Sequence, residues 1–466
     1  MTDSPVVRVY ATAQRPDHVN PWQANTPSDS TGSGVVVAAG QVLTGAHVVA
    51  DATFLQVQKI AVPDKFVARV VGVCHDADLA LLQIDDPTFM EGVEPAAIGE
   101  LPHFQDHVAV VGFPVGGDEI SITEGVVSRI EVQRYSHSQR ELLAVTIDAA
   151  INSGNSGGPV LDEDGAVIGI AFQTLDDAEN VGEMVPAPII SRFLAGVRDD
   201  RPAEVPGLGC RVQNLESPTL RESLGLAADQ SGVLVQSVEY GSSTWGQLQA
   251  GDALLSIDGH AIANNGTIRY RERYRTSFDV VLGEHYLGER IPLTVQRGGE
   301  RVELSVELKS HQLLVPLDRH DQRPSWFVFG GMVFQALTRD YLQTWDDWWD
   351  KAPVSLLHPY YYGNRTEAHH EAIVLTQVLA DELNVGYESF EFTIVATVDG
   401  HVPVDLADFV RRVDGAEGRI EVAMTTGERI VMDAARAREA APPILQRYRV
   451  PADRSTDLTN GVTAAP

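Results

Sequence analysis

Residues 148–160 constrain the fold more than any other stretch. Their centre reads Gly-Asn-Ser-Gly-Gly-Pro, with Ser156 in the middle. Flanking glycines let the backbone take positive φ and let another chain come close. They also leave successive backbone N–H groups able to converge on one point. Each such donor contributes about 2.7–4 kcal/mol to an oxyanion formed in acyl transfer. The plainer alternative is a glycine-rich hairpin loop of a β-protein. Around this stretch, residues 5–200 break into short apolar and β-branched runs, among them VVRVY, GVVVAA, LALLQI, HVAVVGF and LLAVTIDA, punctuated by Gly, Pro, Asn and Asp. That rhythm predicts many short strands and little helix, which suits a mainly β domain built from two barrels. Asp-Glu-Asp-Gly at 162–165 predicts a hairpin turn. A closing helix is expected at about 188–199.

A serine hydroxyl is a weak nucleophile at neutral pH and needs a base, which in turn needs an orienting acid. The candidate base is His47, where an apolar run enters a small-residue turn, Val-Leu-Thr-Gly-Ala-His-Val-Val. The candidate acid is Asp78, in His-Asp-Ala-Asp-Leu-Ala-Leu-Leu, directly before an apolar strand. His75 and Asp76 lie close enough to be mistaken for members of the set, but the strand-leading position favours Asp78. His103, His107 and His137 read as surface or hydrogen-bonded structural residues. The order His, Asp, Ser is that of chymotrypsin-like double β-barrels rather than of subtilisin-like or α/β-hydrolase folds.

These residues stand in longer segments: STGSGVVV (30–37), LTGAHVV (43–49), DLALLQID (78–85), VVGFPVGGD (110–118), ITEGVVSRI (122–130), the run from Tyr135 to Val160, and VPAPII near 185–190. In them the chain resembles the HtrA/Deg family of ATP-independent serine proteases, most of all the plant and organellar Deg proteases with two PDZ domains and their bacterial relatives. The resemblance implies His47 as general base, Asp78 as its orienter, Ser156 as nucleophile, and the backbone N–H groups of Gly154 and Ser156 as the oxyanion hole. It implies a substrate pocket walled by Ile151 and the strand 168–172, including Ile170 and Phe172, and rimmed by the loop 173–184. Apolar walls imply a preference for aliphatic side chains before the cut. Two positions depart from the family. Gly45 stands where asparagine is usual, a change expected to loosen the histidine turn. Glu183 stands where an aromatic or aliphatic residue is usual, and places an acid near the pocket.

The chain has 466 residues and a formal net charge of −30, enough for about three domains. The acid excess argues against nucleic acid or an anionic membrane as partner, since both require clustered Lys and Arg. It suits solubility or adaptation to salt. The two cysteines, Cys74 and Cys210, fall in different expected domains, so no disulfide framework is expected. Cys74 reads as a core thiol. No run of about 18 apolar residues occurs, so no membrane span is expected. The N-terminus lacks the pattern of a signal or transit peptide, which leads to an expected cytoplasmic location.

The expected organisation is a protease domain over 1–200, a first PDZ domain over 207–310, a divergent second PDZ domain over 326–447 and a tail over 448–466. The fold class is thus mainly β, a chymotrypsin-like double barrel followed by two PDZ-type α+β domains. Leu208, Gly209 and Cys210 resemble the loop that captures a peptide's C-terminal carboxylate, the peptide adding a strand to an open sheet edge. The plainer alternative is a small β-barrel with a covered edge, used only for packing or assembly. The alternating Arg and Tyr residues of 268–275 could stack on bases, but with this net charge a solvated face or a subunit contact fits better. Aromatics at 345–349 and 360–362 suit either an interface or a satellite core. By resemblance the second PDZ serves assembly, into trimers or into hexamers of two trimers. His369-His370-Glu371 lacks HExxH spacing, and no metal site is expected there. No P-loop is present, and no cofactor is expected. The expected function is ATP-independent cleavage of unfolded or damaged polypeptides. The alternative is a latent protease acting mainly as a PDZ-based chaperone or scaffold.

Overall fold

A computed structural model describes residues 4–60, 62–113, 120–152, 154–174 and 181–459. The chain packs as two units. The first comprises residues 1–13, 27–238 and 242–311, and the second 14–26, 239–241 and 312–466.

The first unit opens with six strands: Val6–Ala13 (β1), Ser28–Ala38 (β2), Gln41–Thr44 (β3), Ala52–Lys59 (β4), Lys65–Cys74 (β5) and Leu79–Gln83 (β6). They close into an antiparallel barrel in the order β1-β2-β3-β6-β5-β4. Alternation along β1 sends Val7, Val9 and Ala11 inward, against Val36, Val42, Leu55 and Leu82. A four-residue helix, Ala46–Val49 (α1), interrupts the path from β3 to β4. Six more strands, His107–Gly112 (β7), Ser121–Arg134 (β8), Glu141–Ile147 (β9), Pro159–Leu161 (β10), Val167–Thr174 (β11) and Gly182–Pro186 (β12), close a second barrel. Its core includes Val110, Leu143, Val145, Val160 and Met184. Asp162 Oδ1 accepts from the N–H groups of Asp164 and Ala166, forming the hairpin turn expected at 162–165. The closing helix is Ala187–Arg198 (α2), which buries Ile189, Ile190 and Phe193.

The same unit continues into a sheet of Cys210–Asn214 (β13), Val233–Val238 (β14), Ala253–Ile257 (β15), Arg290–Arg297 and Glu300–Glu307, in that spatial order. One edge is therefore β13. Helix Pro218–Ser223 (α3) follows β13, capped by the Ser217 hydroxyl. The stretch 268–275 has one buried and one solvent-facing side. It forms a hairpin, Thr267–Tyr270 paired with Tyr274–Ser277, that lies on the second barrel. Ile268, Tyr270, Tyr274 and Thr276 are buried while the interleaved arginines point to solvent. The Tyr274 hydroxyl donates to Pro102 O at 2.7 Å, and Val132 N–H donates to Thr276 Oγ1 at 2.7 Å. The connection at 199–206 is held as well. Arg192 donates to the carbonyls of Ala203, Glu204 and His285, and the Tyr286 hydroxyl donates to Arg192 O.

The second unit is built on six antiparallel strands, Trp326–Phe329, Met332–Ala336, Ile373–Val378, Thr393–Val398, Arg419–Met424 and Arg429–Asp433, neighbours in sequence order. Phe327, Phe334 and Phe409 form the centre of its core. Residues 14–26 belong to this unit. Gln335 and Gln377 donate to the carbonyls of His18 and Val19, and Trp22 meets Trp326 edge to face. Part of the expected tail is structural. Val328 N–H donates to Asp453 O and Ser455 N–H to Trp326 O. The aromatic insert is partly packed and partly exposed. Trp345, Trp348 and Tyr360 pack beside a satellite core, whereas Trp349 and Tyr362 are exposed. Of the His369–Glu371 run, His370 stacks on Tyr240 and the Glu371 carboxylate accepts from Leu406 N–H.

Candidate active site

Two turns of the first barrel deliver the expected base and its orienter to one place. Gly45, extended at φ −74°, starts α1, so that His47 falls in the first turn after β3. Asp78 closes the four-residue turn between β5 and β6 in the left-handed region, φ +52°, a conformation that Asp tolerates better than most residues. Its side chain is 1% exposed. Oδ2 lies 2.7 Å from His47 Nδ1, and Oδ1 accepts from the His47 backbone N–H at 2.8 Å. One carboxylate thus fixes both the ring and its backbone. Burial is the largest influence on His47 and favours the neutral ring, but the charge and hydrogen bond of Asp78 outweigh it and raise its pKa above 6.5. Burial likewise works to raise Asp78, and the charge and hydrogen bond of His47 reverse this, leaving its carboxyl below the ordinary value.

Gly45 lies against the His47 ring. A Cβ there would stand 2.6 Å from His47 Cε1 and 2.8 Å from Nδ1, so the missing side chain is what admits the ring in its present position. Asp76 has a separate role. Its Oδ2 accepts from Arg140 at 3.2 Å and from Val205 N–H at 2.8 Å, and Arg140 also donates to Val205 O and Pro206 O.

Ser156 stands at the barrel junction. Its carbonyl accepts from Ser33 N–H at 2.9 Å, and Gly157 N–H donates to Ala171 O. The third link of the set is not made, because the buried Nε2 of His47 has no hydrogen-bond partner among the described residues. Nor do the expected oxyanion amides stand open. Gly154 N–H donates to Asn152 Oδ1 at 3.2 Å, and Ser156 N–H donates to Asn152 O at 3.3 Å. Asn155 N–H also donates to Asn152 O, at 2.9 Å. The amides of Gly154, Asn155 and Ser156 thus all turn back onto Asn152.

The expected pocket walls are all buried. Ile151 lies over Gly182, where a Cβ would be 2.5 Å from its Cδ1. Phe172 packs on Tyr135 with ring centroids 4.4 Å apart. Ile170 is fully buried in the barrel core and offers no open wall. Of the expected rim, residues 175–180 lie outside the described residues. Glu183 is buried, and its carboxylate is held by Gln173 at 2.5 Å and Thr146 at 3.5 Å. Burial raises its pKa against those donors.

In the expected carboxylate loop, Leu208 is buried, Gly209 takes φ +67°, and Cys210 begins the edge strand β13. The carbonyls of Gly207, Leu208 and Gly209 accept from the hydroxyls of Ser243, Thr244 and Ser242. Neither cysteine forms a disulfide. The Cys74 thiol is buried 2.9 Å from Ala203 O, and burial pushes it up to about 12.

Sequence reasoning missed three features: Asn152 as the acceptor for the oxyanion amides, the Asp76–Arg140 link, and the ring of His137 standing 6.2 Å from that of His47. Only Asn152 carried a local signal, since Asn readily accepts from amides two and three residues ahead.

Residues 32–170 match the trypsin-like peptidase domain, and residues 206–308 and 315–457 each match a PDZ domain. Protease Do-like 2, chloroplastic, of Arabidopsis thaliana is 35% identical over 458 residues, covering 97% of this chain and 75% of its own length. Protease Do-like 4, mitochondrial, of the same plant is 34% identical over 456 residues, covering 97% and 85%. Among solved structures, the HtrA-type protease AlgW with a tripeptide is 27% identical at a TM-score of 0.51, covering 66% of this chain and 94% of its own. An AlgW variant with a decapeptide gives 25% and 0.53, with the same coverage. By sequence over nearly its whole length and by the fold of its barrels, this chain belongs to the HtrA/Deg family of PDZ-carrying serine endopeptidases.

Proposed function

We propose that the chain cleaves unfolded or damaged polypeptides through Ser156, His47 and Asp78. The observation that carries this reading is the doubly hydrogen-bonded Asp78–His47 pair. Asp78 holds the proton on Nδ1 and so presents the lone pair of Nε2 as base. Nε2 takes the hydroxyl proton as Ser156 Oγ attacks the carbonyl of an extended substrate. The resulting imidazolium is stabilised by the buried carboxylate. The amides of Gly154 and Ser156 would hold the tetrahedral oxyanion once they leave Asn152. His47 then protonates the leaving amine, and water repeats the sequence on the acyl-enzyme. None of these steps uses a nucleotide or a metal ion.

Incubation with unfolded casein tests the reading: the parent chain cleaves it and Ser156→Ala does not. Equal, intact casein with both proteins across salt and temperature would overturn it. The second reading, a latent protease that acts mainly as a PDZ-based chaperone or scaffold, is favoured by the occupied oxyanion amides. It expects suppression of casein aggregation that Ser156→Ala retains in full.

The first PDZ is the proposed site for C-terminal peptides, entering beside β13 with the carboxylate at 208–210. Titration of the full Ser156→Ala chain with apolar C-terminal peptides tests it. The second PDZ is the proposed assembly module, giving trimers or hexamers, and molar mass in solution with and without denatured substrate decides this. Among the described residues no helix is long and apolar enough to cross a membrane. A cytoplasmic location is the proposal, whereas the two Arabidopsis relatives are named for the chloroplast and the mitochondrion. Fractionation of the host cell separates the two.

A further inference from the structure

We propose that His75 and His137 form a chelating site for a zinc-class divalent cation beside the Asp78–His47 pair, and that its occupancy lowers turnover. The second half of this proposal rests on the protease reading, and the first does not. His75 lies in the turn between β5 and β6, and His137 in the turn between β8 and β9. Their facing nitrogens, Nδ1 of His75 and Nε2 of His137, are 3.0 Å apart. Two imidazole nitrogens that share one proton aim their lone pairs along one line. A tetrahedral ion with bonds of about 2.0–2.1 Å holds two nitrogens about 3.3–3.4 Å apart. The pair therefore has to open by only about 0.3–0.4 Å to admit the ion, with water completing its shell.

The backbone under both rings is already fixed. The Ser138 hydroxyl donates to Asp76 O at 2.8 Å, and Arg140 binds the Asp76 carboxylate at 3.2 Å, joining the two turns next to the ligands. The His137 turn is closed by Gln139 N–H on Tyr135 O at 2.7 Å and pinned by Ser136 N–H on Gln173 Oε1 at 2.7 Å. Such outer contacts orient metal-binding rings and set affinity. Imidazole donors select zinc, copper or nickel over magnesium and calcium, which prefer oxygen.

The position gives the site its consequence. The ring of His137 meets that of His47 at 61° and 6.2 Å. The Asp78 carboxylate feels the charge of His137 as well as that of His47. A dication held by His137 shares that carboxylate's field, and so weakens the stabilisation Asp78 gives to the positive ring formed during acyl transfer.

The test uses the full Ser156→Ala chain, which cannot digest itself. It is titrated with zinc by calorimetry in excess magnesium, so that the 65 Asp and Glu carboxylates do not compete. Cobalt substitution is followed in the visible spectrum. The expected result is one tight equivalent, weakened at least tenfold by His75→Gln and by His137→Gln, with melting curves confirming that both variants fold. In the active chain, zinc lowers casein cleavage severalfold, a chelator restores it, and the same two substitutions remove the effect. Unchanged affinity in both variants overturns the site. Zinc inhibition that persists in them overturns the link to turnover. The calorimetric arm stands apart from any failure of proteolysis.

Discussion

Gly157 shows how tightly one residue can be specified. It takes φ +79°, and a Cβ there would sit 2.4 Å from Thr44 Oγ1 and 2.6 Å from Ser33 O. Strained φ and overpacking each cost roughly 1–3 kcal/mol. Gly157→Ala is therefore expected to destabilise the barrels by roughly 2–6 kcal/mol, read from urea unfolding in the Ser156→Ala background. A loss under about 1 kcal/mol would mean that the loop relaxes freely. The Asp78–His47 pair makes a pH prediction. The base must be neutral, so cleavage falls as pH drops through the raised His47 pKa. Asp78→Asn leaves burial as the dominant influence on His47, moves this acid limb to lower pH, and lowers kcat about 10⁴-fold. An acid limb that stays in place would show that another group sets it. For stability the signs oppose. The lowered Asp78 pKa gives stability present above its unfolded value and lost as pH falls through its folded value. The raised His47 pKa gives stability present below 6.5 and lost as pH rises through its folded value.

Elements explain what the sequence revealed and what it hid. His47 and Asp78 were legible because each adjoins an apolar strand that fixes its position, β3 before the one and β6 after the other. The burial of Tyr270 and Tyr274 was not, since alternating Arg and Tyr suits any surface until the barrel that receives the tyrosines is known. The contact between His75 and His137 joins two turns 62 residues apart, beyond the reach of local pattern. The state of the amides of residues 154–156 was hidden for another reason. The same glycines permit amides that point outward to a substrate or inward to Asn152, and composition does not choose between them. The present state leaves Asn155 Oδ1 buried without a hydrogen bond among the described residues, which costs about 1–3 kcal/mol, so the alternative arrangement lies within reach. Asn152→Ala removes the side-chain acceptor from Gly154. It is expected to speed fluorophosphonate labelling of Ser156 severalfold, and labelling at or below the parent rate would show that the side chain does not restrain the site.

For the molecule as a whole, the dominant fact is a net charge of −30. The ion pairs do little to offset it. Many resemble Arg69–Asp85, whose side chains are 59% and 72% exposed, and pairs of that kind are worth about 0–1 kcal/mol. Self-repulsion between surface carboxylates is thus a standing cost of the compact state. It is screened as the Debye length falls from about 30 Å at 0.01 M to about 8 Å at 0.15 M ionic strength. The melting temperature is expected to rise over that interval in sodium chloride, by about 2–4 °C for each kcal/mol of repulsion relieved in a domain of 150–250 residues. Chloride is the informative salt, because sulfate would stabilise through strengthened apolar burial. A melting temperature that stays flat across that range would mean that the acids are spaced widely enough not to feel one another, and the charge would then bear on solubility alone.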